Sequence, residues 1–158
     1  MRLERIFRPL LHLGIGAFLF AGQASAYDLV VSSHTRSVRY TQAELLALET
    51  STLETTTPWT DGIQRFEGAR LETVLENADV DAEQLLASAL NGYSVVISVA
   101  TAIKEGAYIA VQVDGEPMRV RDKGPFWLVF PWAERPELLN REVRSWSIWQ
   151  LQRLEPVE

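Results

Sequence analysis

The run AYIAVQVDGEPMRVRDKGPFWLVFP, residues 107–131, constrains the fold more than any other stretch of the sequence. Apolar residues alternate along AYIAVQV, which is typical of a β-strand. Asp114–Gly115 are the residue types that a two-residue hairpin turn prefers, so we expect the chain to reverse there. PFWLVFP is apolar on both faces and is bounded by prolines, which predicts a central strand. The sequence therefore predicts a sheet with a buried centre.

Five further stretches are predicted to be strands, because they are rich in β-branched residues or alternate in polarity. They are residues 27–34, 36–40, 51–57, 93–99 and 145–157. The apolar face of the fourth stretch would consist of Tyr93, Val95, Ile97 and Val99.

Three helices are predicted between these strands. The first, over 41–49, opens with a capping box of Thr41 and Glu44. The second, over 66–80, carries an apolar stripe of Leu71, Val74, Leu75 and Ala78. A second capping-box pattern, Asp81 with Gln84, predicts a short helix over 82–89. Because no regular βαβ repeat is present, the predicted class is α+β, with mixed or antiparallel sheets and short helices.

The first 26 residues have the layout of a secretory signal peptide. Arg2, Arg5 and Arg8 precede an apolar run, and small residues lead up to Ala26. A membrane span needs roughly 20 apolar residues, so this run is too short, and its scattered arginines do not form a twin-arginine signal. We therefore predict a Sec-type signal peptide over 1–26, a periplasmic or secreted location, and a single globular domain over 27–158 that does not itself span a membrane.

Charge and residue types exclude several classes of function. Of 15 basic and 21 acidic residues, three Arg and one Glu lie in the predicted signal peptide, so the domain has 12 basic against 20 acidic. Such an acidic chain without a basic cluster is a poor partner for nucleic acid. The chain has no cysteine, and the domain has one histidine, His34. Disulfides, thiolate chemistry and the usual zinc sites are therefore excluded.

No catalytic constellation stands out among the remaining polar residues. A Ser/His/Asp nucleophile would need His34, but SSHTRS around it is typical of a surface loop between two strands. Carboxylates are plentiful, but they lie in predicted helix ends and polar loops, where solvated charge is the ordinary interpretation. We therefore predict neither catalytic residues nor a metal site.

The stretch TTTPWTDG, residues 55–62, is the first of two candidate binding segments. Pro58 lacks a backbone donor and fixes φ, so the strand must leave its sheet there and present Trp59 on a bend. Asp61–Gly62 then reverses the chain. Three hydroxyls, an indole and a carboxylate would thus lie together at the edge of a cleft.

The second candidate segment is RVRDKGPFWLVFPW, residues 119–132. Arg119, Arg121 and Lys123 would hold an anion beside Asp122, and Trp127 and Trp132 would stack on a flat ring. Surface ion pairs and core packing explain the same residues, and core packing is favoured for Trp127. For Trp59 and Trp132, each beside a proline, both interpretations stay open.

The order of these motifs resembles the molybdopterin-binding domain of sulfite-oxidase-type oxidoreductases. The resemblance rests on F-x-G-x-x-L, N-G-Y, D-G-E-P and G-P-x-x-L-V-x-P in sequence, and it is clearest from Leu53 to Glu155. It is greatest for the short, exported, single-domain members of that superfamily. In the family, a cysteine before the F-x-G-x-x-L segment ligates molybdenum. The matching position here is Thr55, with Thr56 as an alternative register.

The departures from the family pattern imply that the fold is kept and the metal chemistry is lost. A hydroxyl is a harder and weaker ligand than a thiolate, and the family's pterin-binding histidines have no counterpart. The family's cofactor is normally inserted before export of the folded protein, whereas a Sec-type signal implies passage unfolded. No cofactor is therefore expected, although the resemblance keeps molybdopterin possible.

The predicted function is non-catalytic binding or sensing of a small polar or anionic ligand, or of a periplasmic or membrane-bound partner protein. The predicted cleft consists of Thr55, Trp59, Asp61, Arg121, Asp122, Lys123 and Trp132. The alternatives are a molybdopterin-dependent oxidoreductase without a cysteine ligand, and a structural subunit that docks a partner through exposed tryptophans.

Overall fold

The computed structural model describes residues 27–157, which contain ten β-strands and four α-helices. The strands are β1 (Leu29–Ser32), β2 (Ser37–Tyr40), β3 (Thr52–Thr55), β4 (Gln64–Arg70), β5 (Gln84–Ala89), β6 (Ser94–Ser98), β7 (Tyr108–Val113), β8 (Glu116–Pro117), β9 (Trp127–Val129) and β10 (Leu151–Pro156). The helices are α1 (Gln42–Leu46), α2 (Leu71–Asn77), α3 (Val99–Lys104) and α4 (Arg141–Trp146). The predicted α+β class is confirmed.

The strands form two sheets. The first has the order β2-β1-β10-β5-β6, in which β1 and β10 are parallel and the other pairs are antiparallel. The second has the order β3-β4-β7-β8, with β9 also pairing with β7, and it is antiparallel throughout. The first sheet is therefore mixed and the second is antiparallel, and the sequence predicted sheets of these two kinds.

The hairpin between β7 and β8 turns at the predicted position. Asp114 and Gly115 have φ angles of 51° and 83°, the left-handed conformation that this type of turn requires at both positions. Asp114 also holds the neighbouring strand, because its carboxylate accepts a hydrogen bond from the backbone N–H of Arg65 at 3.0 Å.

One large buried cluster joins the helices to both sheets. The predicted stripe of α2 lies in this cluster and is fully shielded from solvent: Leu71, Val74, Leu75 and Ala78. The capping box of α1 is also present, because Thr41 and Glu44 each accept from the other's backbone N–H. Both local predictions are confirmed, although α1 ends at Leu46.

The helix predicted over 82–89 is wrong, because this segment is strand β5. Asp81 and Gln84 have capping-box spacing, but Gln84 begins a strand that pairs with both β6 and β10. Leu85, Ala87 and Ala89 alternate with more exposed residues, so the segment buries one face of a sheet. Pairing on both sides outweighs the local helical signal.

Three other boundaries differ from the predictions. The helix predicted over 66–80 begins only at Leu71, because Phe66–Arg70 belongs to β4. Val99 was predicted to end a strand, but it begins α3. The start of the predicted last strand is helical, since α4 ends at Trp146 and β10 begins at Leu151. Each segment combines apolar residues at spacings that suit both a strand and a helix.

The buried run around β9 is apolar on both faces as predicted, but it is not a central strand. It pairs with β7 alone, and Ile148 and Trp149 close its other side through a Leu128–Ile148 backbone hydrogen bond of 3.0 Å and an isolated bridge. This cover protects an edge that would otherwise expose unpaired backbone groups.

Among residues 27–157, no helix is long and apolar enough to cross a membrane.

Candidate functional site

A cluster of tryptophans lies where the two candidate segments meet. Trp59 is at its centre, with ring centroids 6.2 Å from Trp127, 6.0 Å from Trp132 and 5.3 Å from Trp149. Trp127 and Trp132 are buried, whereas Trp59 and Trp149 are partly exposed. The cluster therefore has an inner side in the core and an outer side that faces solvent.

The threonine turn forms part of the inner side, and its hydroxyl groups are hydrogen-bonded within the protein. Thr55 is fully buried; its Oγ1 donates to the carbonyl of Thr56 at 3.1 Å and accepts from the backbone N–H of Ala133 at 3.0 Å. Thr57 Oγ1 contacts Thr60 Oγ1 at 2.7 Å and accepts from the N–H of Trp59 at 3.2 Å. These bonds fix the bend that places Trp59 on the cluster.

The basic segment forms a cavity of about 280 Å³ on the outer side. Its polar rim consists of Thr60, Gln64, Arg121, Asp122 and Lys123, and we call this cavity the basic pocket. Asp122 accepts from Arg119 Nε at 2.6 Å and lies 3.8 Å from Arg121 Nε, so its charge is compensated mainly from outside the rim. Lys123 Nζ lies 5.7 Å from the ring centroid of Trp127, within the range of a cation–π contact. The rim thus favours anions.

An unpaired acceptor adds to the chemistry of the basic pocket. Gln64 Oε1 is buried and has no hydrogen-bond partner within the described residues. A buried acceptor without a donor costs roughly 1–3 kcal/mol, so a ligand that supplies an N–H or O–H would regain this free energy.

Two glutamines fix the backbone around the basic pocket. Gln42 Nε2 donates to the carbonyls of Val111, Met118 and Pro125 at 2.9–3.1 Å, which joins α1 to the backbone on both sides of residues 119–124. Gln150 Nε2 donates to the carbonyl of Val120 at 2.9 Å. The backbone N–H of Gln150 donates to the carbonyl of Lys123 at 3.0 Å. Residues distant in sequence therefore position the cationic side chains.

A second cavity of about 290 Å³ lies on the other side of Trp59. We call it the indole groove, and its lining residues are Trp59, Asn91, Tyr93, Arg144, Ser145, Ser147, Ile148 and Trp149. The groove and the basic pocket have no lining residue in common, but Trp59 of the groove contacts Trp127 of the basic pocket, with ring centroids 6.2 Å apart.

The structure brings some of the predicted cleft residues together and separates others. Arg121, Asp122 and Lys123 line the basic pocket, and Trp59 lines the indole groove. Thr55 is buried, and Asp61 is exposed and lines neither cavity. Trp132 is 1% exposed and its Nε1 donates to the carbonyl of Leu138 at 3.0 Å, so it packs in the core and has no free face for stacking.

Sequence reasoning missed Gln64 and most of the indole groove. Gln64 lies between the candidate segment 55–62 and the helix predicted over 66–80, where no element was predicted, and its burial depends on strand β4. Tyr93, Arg144 and Trp149 come from three separate elements, and no local pattern links them. Among the groove residues, only Trp59 was predicted to line a cleft.

Comparison with known proteins identifies the class. A family model described as the oxidoreductase molybdopterin binding domain matches residues 20–135, so the chain belongs to this family. The fold is similar to that of the sulfane dehydrogenase SoxCD from Paracoccus pantotrophus, with a TM-score of 0.58 and 18% identity. The match covers 82% of this chain but 37% of the SoxCD chain. No curated protein matches.

The residues present do not fit a molybdenum ion bound through the protein. The resemblance assigns the ligand position to Thr55, whose buried hydroxyl is already hydrogen-bonded on both its donor and its acceptor side. The chain contains no cysteine to supply a thiolate. Within residues 27–157, no three acidic or histidine side chains approach closely enough to hold a metal ion.

Proposed function

We propose that this protein is an exported, non-catalytic member of its family that binds a small anionic ligand in the basic pocket. The observation that carries the proposal is Thr55, which takes the place of the metal-ligating cysteine and uses its hydroxyl to bond Ala133 and Thr56. A hydroxyl engaged in this way is not available to a metal, and it is a poor ligand for molybdenum.

The chemistry of the ligand follows from the rim of the basic pocket. Arg121 and Lys123 attract a negative charge, while Asp122 is occupied by Arg119. Gln64 Oε1 would accept a hydrogen bond from the ligand. The expected ligand is therefore a small anion that also carries a hydroxyl, amine or amide donor.

Export supports the same function. The proposed signal peptide over 1–26 leads to a Sec-type route and a periplasmic or secreted domain over 27–158. Passage unfolded would separate the chain from cofactor insertion, which in this family accompanies folding before export. A periplasmic or membrane-bound protein at the same surface is the other partner that this location allows.

The test is native mass spectrometry and metal analysis of the protein purified from its own cells. We expect a bound small molecule and less than about 0.1 molybdenum per chain. The double variant Arg121→Gln/Lys123→Gln should lose the small molecule. The control Arg39→Gln/Lys104→Gln removes the same charge from exposed positions outside the basic pocket and should keep it.

The second candidate function, which comes from the resemblance to the family, is a molybdopterin-dependent oxidoreductase that holds its cofactor without a protein thiolate. Stoichiometric molybdenum in the same preparation would establish that candidate and overturn ours. If the Arg121→Gln/Lys123→Gln protein keeps its small molecule, the basic pocket is the wrong site. Co-purification of a second protein in place of a small molecule would make a partner the ligand.

A further inference from the structure

We infer that the indole groove is a second binding site, which takes planar aromatic carboxylates. This inference goes beyond the proposed function, because the groove has no lining residue in common with the basic pocket. The inference depends on four properties of the groove: its fixed walls, the hydrogen bonding of its indole N–H groups, its shape and its charge.

The walls of the groove are fixed by contacts within the protein. Tyr93 is 45% exposed, yet its hydroxyl donates to the carbonyl of Ser145 at 3.0 Å and fixes the ring against α4. Trp59 is held by the threonine turn, and Trp149 by its bridge to Trp127. A ligand therefore meets preformed walls and does not have to order them, which favours binding.

The tryptophans that line the groove differ from the other tryptophans in the hydrogen bonding of their indole N–H groups. The three buried indoles donate at 3.0–3.1 Å: Trp127 to Ser147 Oγ, Trp132 to the carbonyl of Leu138 and Trp146 to that of Val96. Trp59 and Trp149 have no protein acceptor for their Nε1–H among residues 27–157. Two residues that line the groove thus carry donors without an acceptor in the described part of the chain, and a ligand with acceptor atoms would suit them.

The geometry of the groove favours a flat ring. The rings of Trp59 and Trp149 are 5.3 Å apart at an interplanar angle of 78°. A planar ligand stacked on one indole is therefore close to edge-to-face with the other, and both arrangements are favourable for aromatic pairs. A cavity of about 150 Å³ holds one benzene ring, so the groove at about 290 Å³ accommodates one or two fused rings.

The charge of the groove selects a carboxylate. Among the residues that the structure describes, no Asp or Glu lines it, although the chain has 21 acidic residues. Arg144 is exposed at its rim and makes no ion pair within the described residues, whereas Arg119 and Arg135 each contact a carboxylate. A guanidinium binds a carboxylate through two parallel hydrogen bonds, which adds direction to the attraction.

Ligand-observed NMR titration with 2-naphthoate tests the inference. We expect saturable binding with Kd below about 1 mM, a modest affinity for a ligand of this size. The neutral analogue 2-naphthylmethanol should bind at least about tenfold more weakly, because it lacks the carboxylate. Cyclohexanecarboxylate should also bind at least about tenfold more weakly, because it has no flat ring.

Matched variants locate the site. Arg144→Gln should weaken 2-naphthoate binding about tenfold, and Arg141→Gln, on the same helix but outside the groove, should leave it unchanged. Trp149→Leu should also weaken binding about tenfold. Circular dichroism checks that this variant is folded, and the surface variant Arg144→Gln carries the test if it is not.

Three results would overturn the inference: no binding of 2-naphthoate up to about 10 mM, equal affinity for the neutral analogue, or equal effects of Arg144→Gln and Arg141→Gln. Lys123→Gln lies in the basic pocket and should not change 2-naphthoate binding. A failure of the proposed function at the basic pocket is therefore distinguishable from a failure at the groove.

Discussion

The inner and outer sides of the tryptophan cluster contrast in how their polar groups are satisfied. On the inner side, Thr55, Thr57 and the indole of Trp132 all hydrogen-bond to other parts of the protein. On the outer side, Gln64 Oε1 and the indoles of Trp59 and Trp149 have no partner within residues 27–157. The two sides are in direct contact, since Trp59 packs against Trp132.

This difference shows that the polar groups on the inner side serve the structure of the protein, whereas those on the outer side stay available to a ligand. A side chain that ligates a metal must keep its donor atom free, whereas Thr55 uses its oxygen to join β3 to Ala133. The neighbouring surface is under no such requirement, and its unused donors, acceptor and cations are suited to ligands. We therefore expect substitutions on the inner side to change stability and substitutions on the outer side to change binding.

The largest effect is expected for Trp132→Ala. Removing this buried indole leaves a cavity and an unpaired carbonyl at Leu138, so the free energy of unfolding should fall by about 4 kcal/mol in urea denaturation. Trp149→Ala on the outer side should cost less than half as much, because Trp149 is partly exposed. Equal losses would remove the distinction between the two sides.

Glu49→Gln should lower the free energy of unfolding at pH 7 by about 2 kcal/mol, because a charged acceptor is lost. Glu49 lies before β3, and its carboxylate accepts from Ser51, Thr73 and Arg70, the last at 3.3 Å. Burial raises the pKa of Glu49, but these hydrogen bonds together outweigh it, so the pKa lies below its usual value.

The pH dependence of this effect has a definite sign. The stabilisation by Glu49 is fully present above its unfolded pKa of about 4.3 and is lost as pH falls through the lower native pKa. The difference between wild type and Glu49→Gln should therefore shrink in that acidic range when unfolding is measured at each pH. A difference that stays constant down to pH 2 would contradict the assignment.

A smaller loss is expected for Thr55→Val, which keeps the shape but not the hydrogen bonds. The N–H of Ala133 would lose its acceptor, and the free energy of unfolding should fall by about 1.5 kcal/mol. Thr55→Ser retains the oxygen and is the control, with a smaller loss from the missing methyl group. If valine is tolerated better than serine, packing outweighs hydrogen bonding at this position.

The smallest effect on stability is expected for Arg121→Gln and Lys123→Gln. Arg121 is largely exposed, and Lys123 contributes one cation–π contact, so each change should cost less than about 1 kcal/mol. The same variants should lose the ligand of the basic pocket. Thermal unfolding with and without the co-purified molecule measures both effects, and a strongly destabilised Arg121→Gln would assign that residue to the inner side.

Local signals in the sequence predicted the parts of the fold that depend on neighbouring residues. The capping box of Thr41 and Glu44, the apolar stripe of α2 and the turn at Asp114–Gly115 all depend on contacts within a few residues. The same reasoning failed for 82–89, because β10, which lies more than sixty residues away, pairs with it. The basic pocket was partly predicted, because Arg121, Asp122 and Lys123 are adjacent in sequence.

The sequence by itself determined the α+β class, the family and the absence of a thiolate, because these follow from residue identity, local spacing and motif order. Tertiary structure alone decided that Trp132 is buried while Trp149 is accessible, although both are tryptophans in apolar surroundings. It also decided which polar atoms are left without partners, such as Gln64 Oε1. The physical reason is that burial and hydrogen-bond satisfaction depend on every segment packed around a side chain, and most of those segments are distant in sequence.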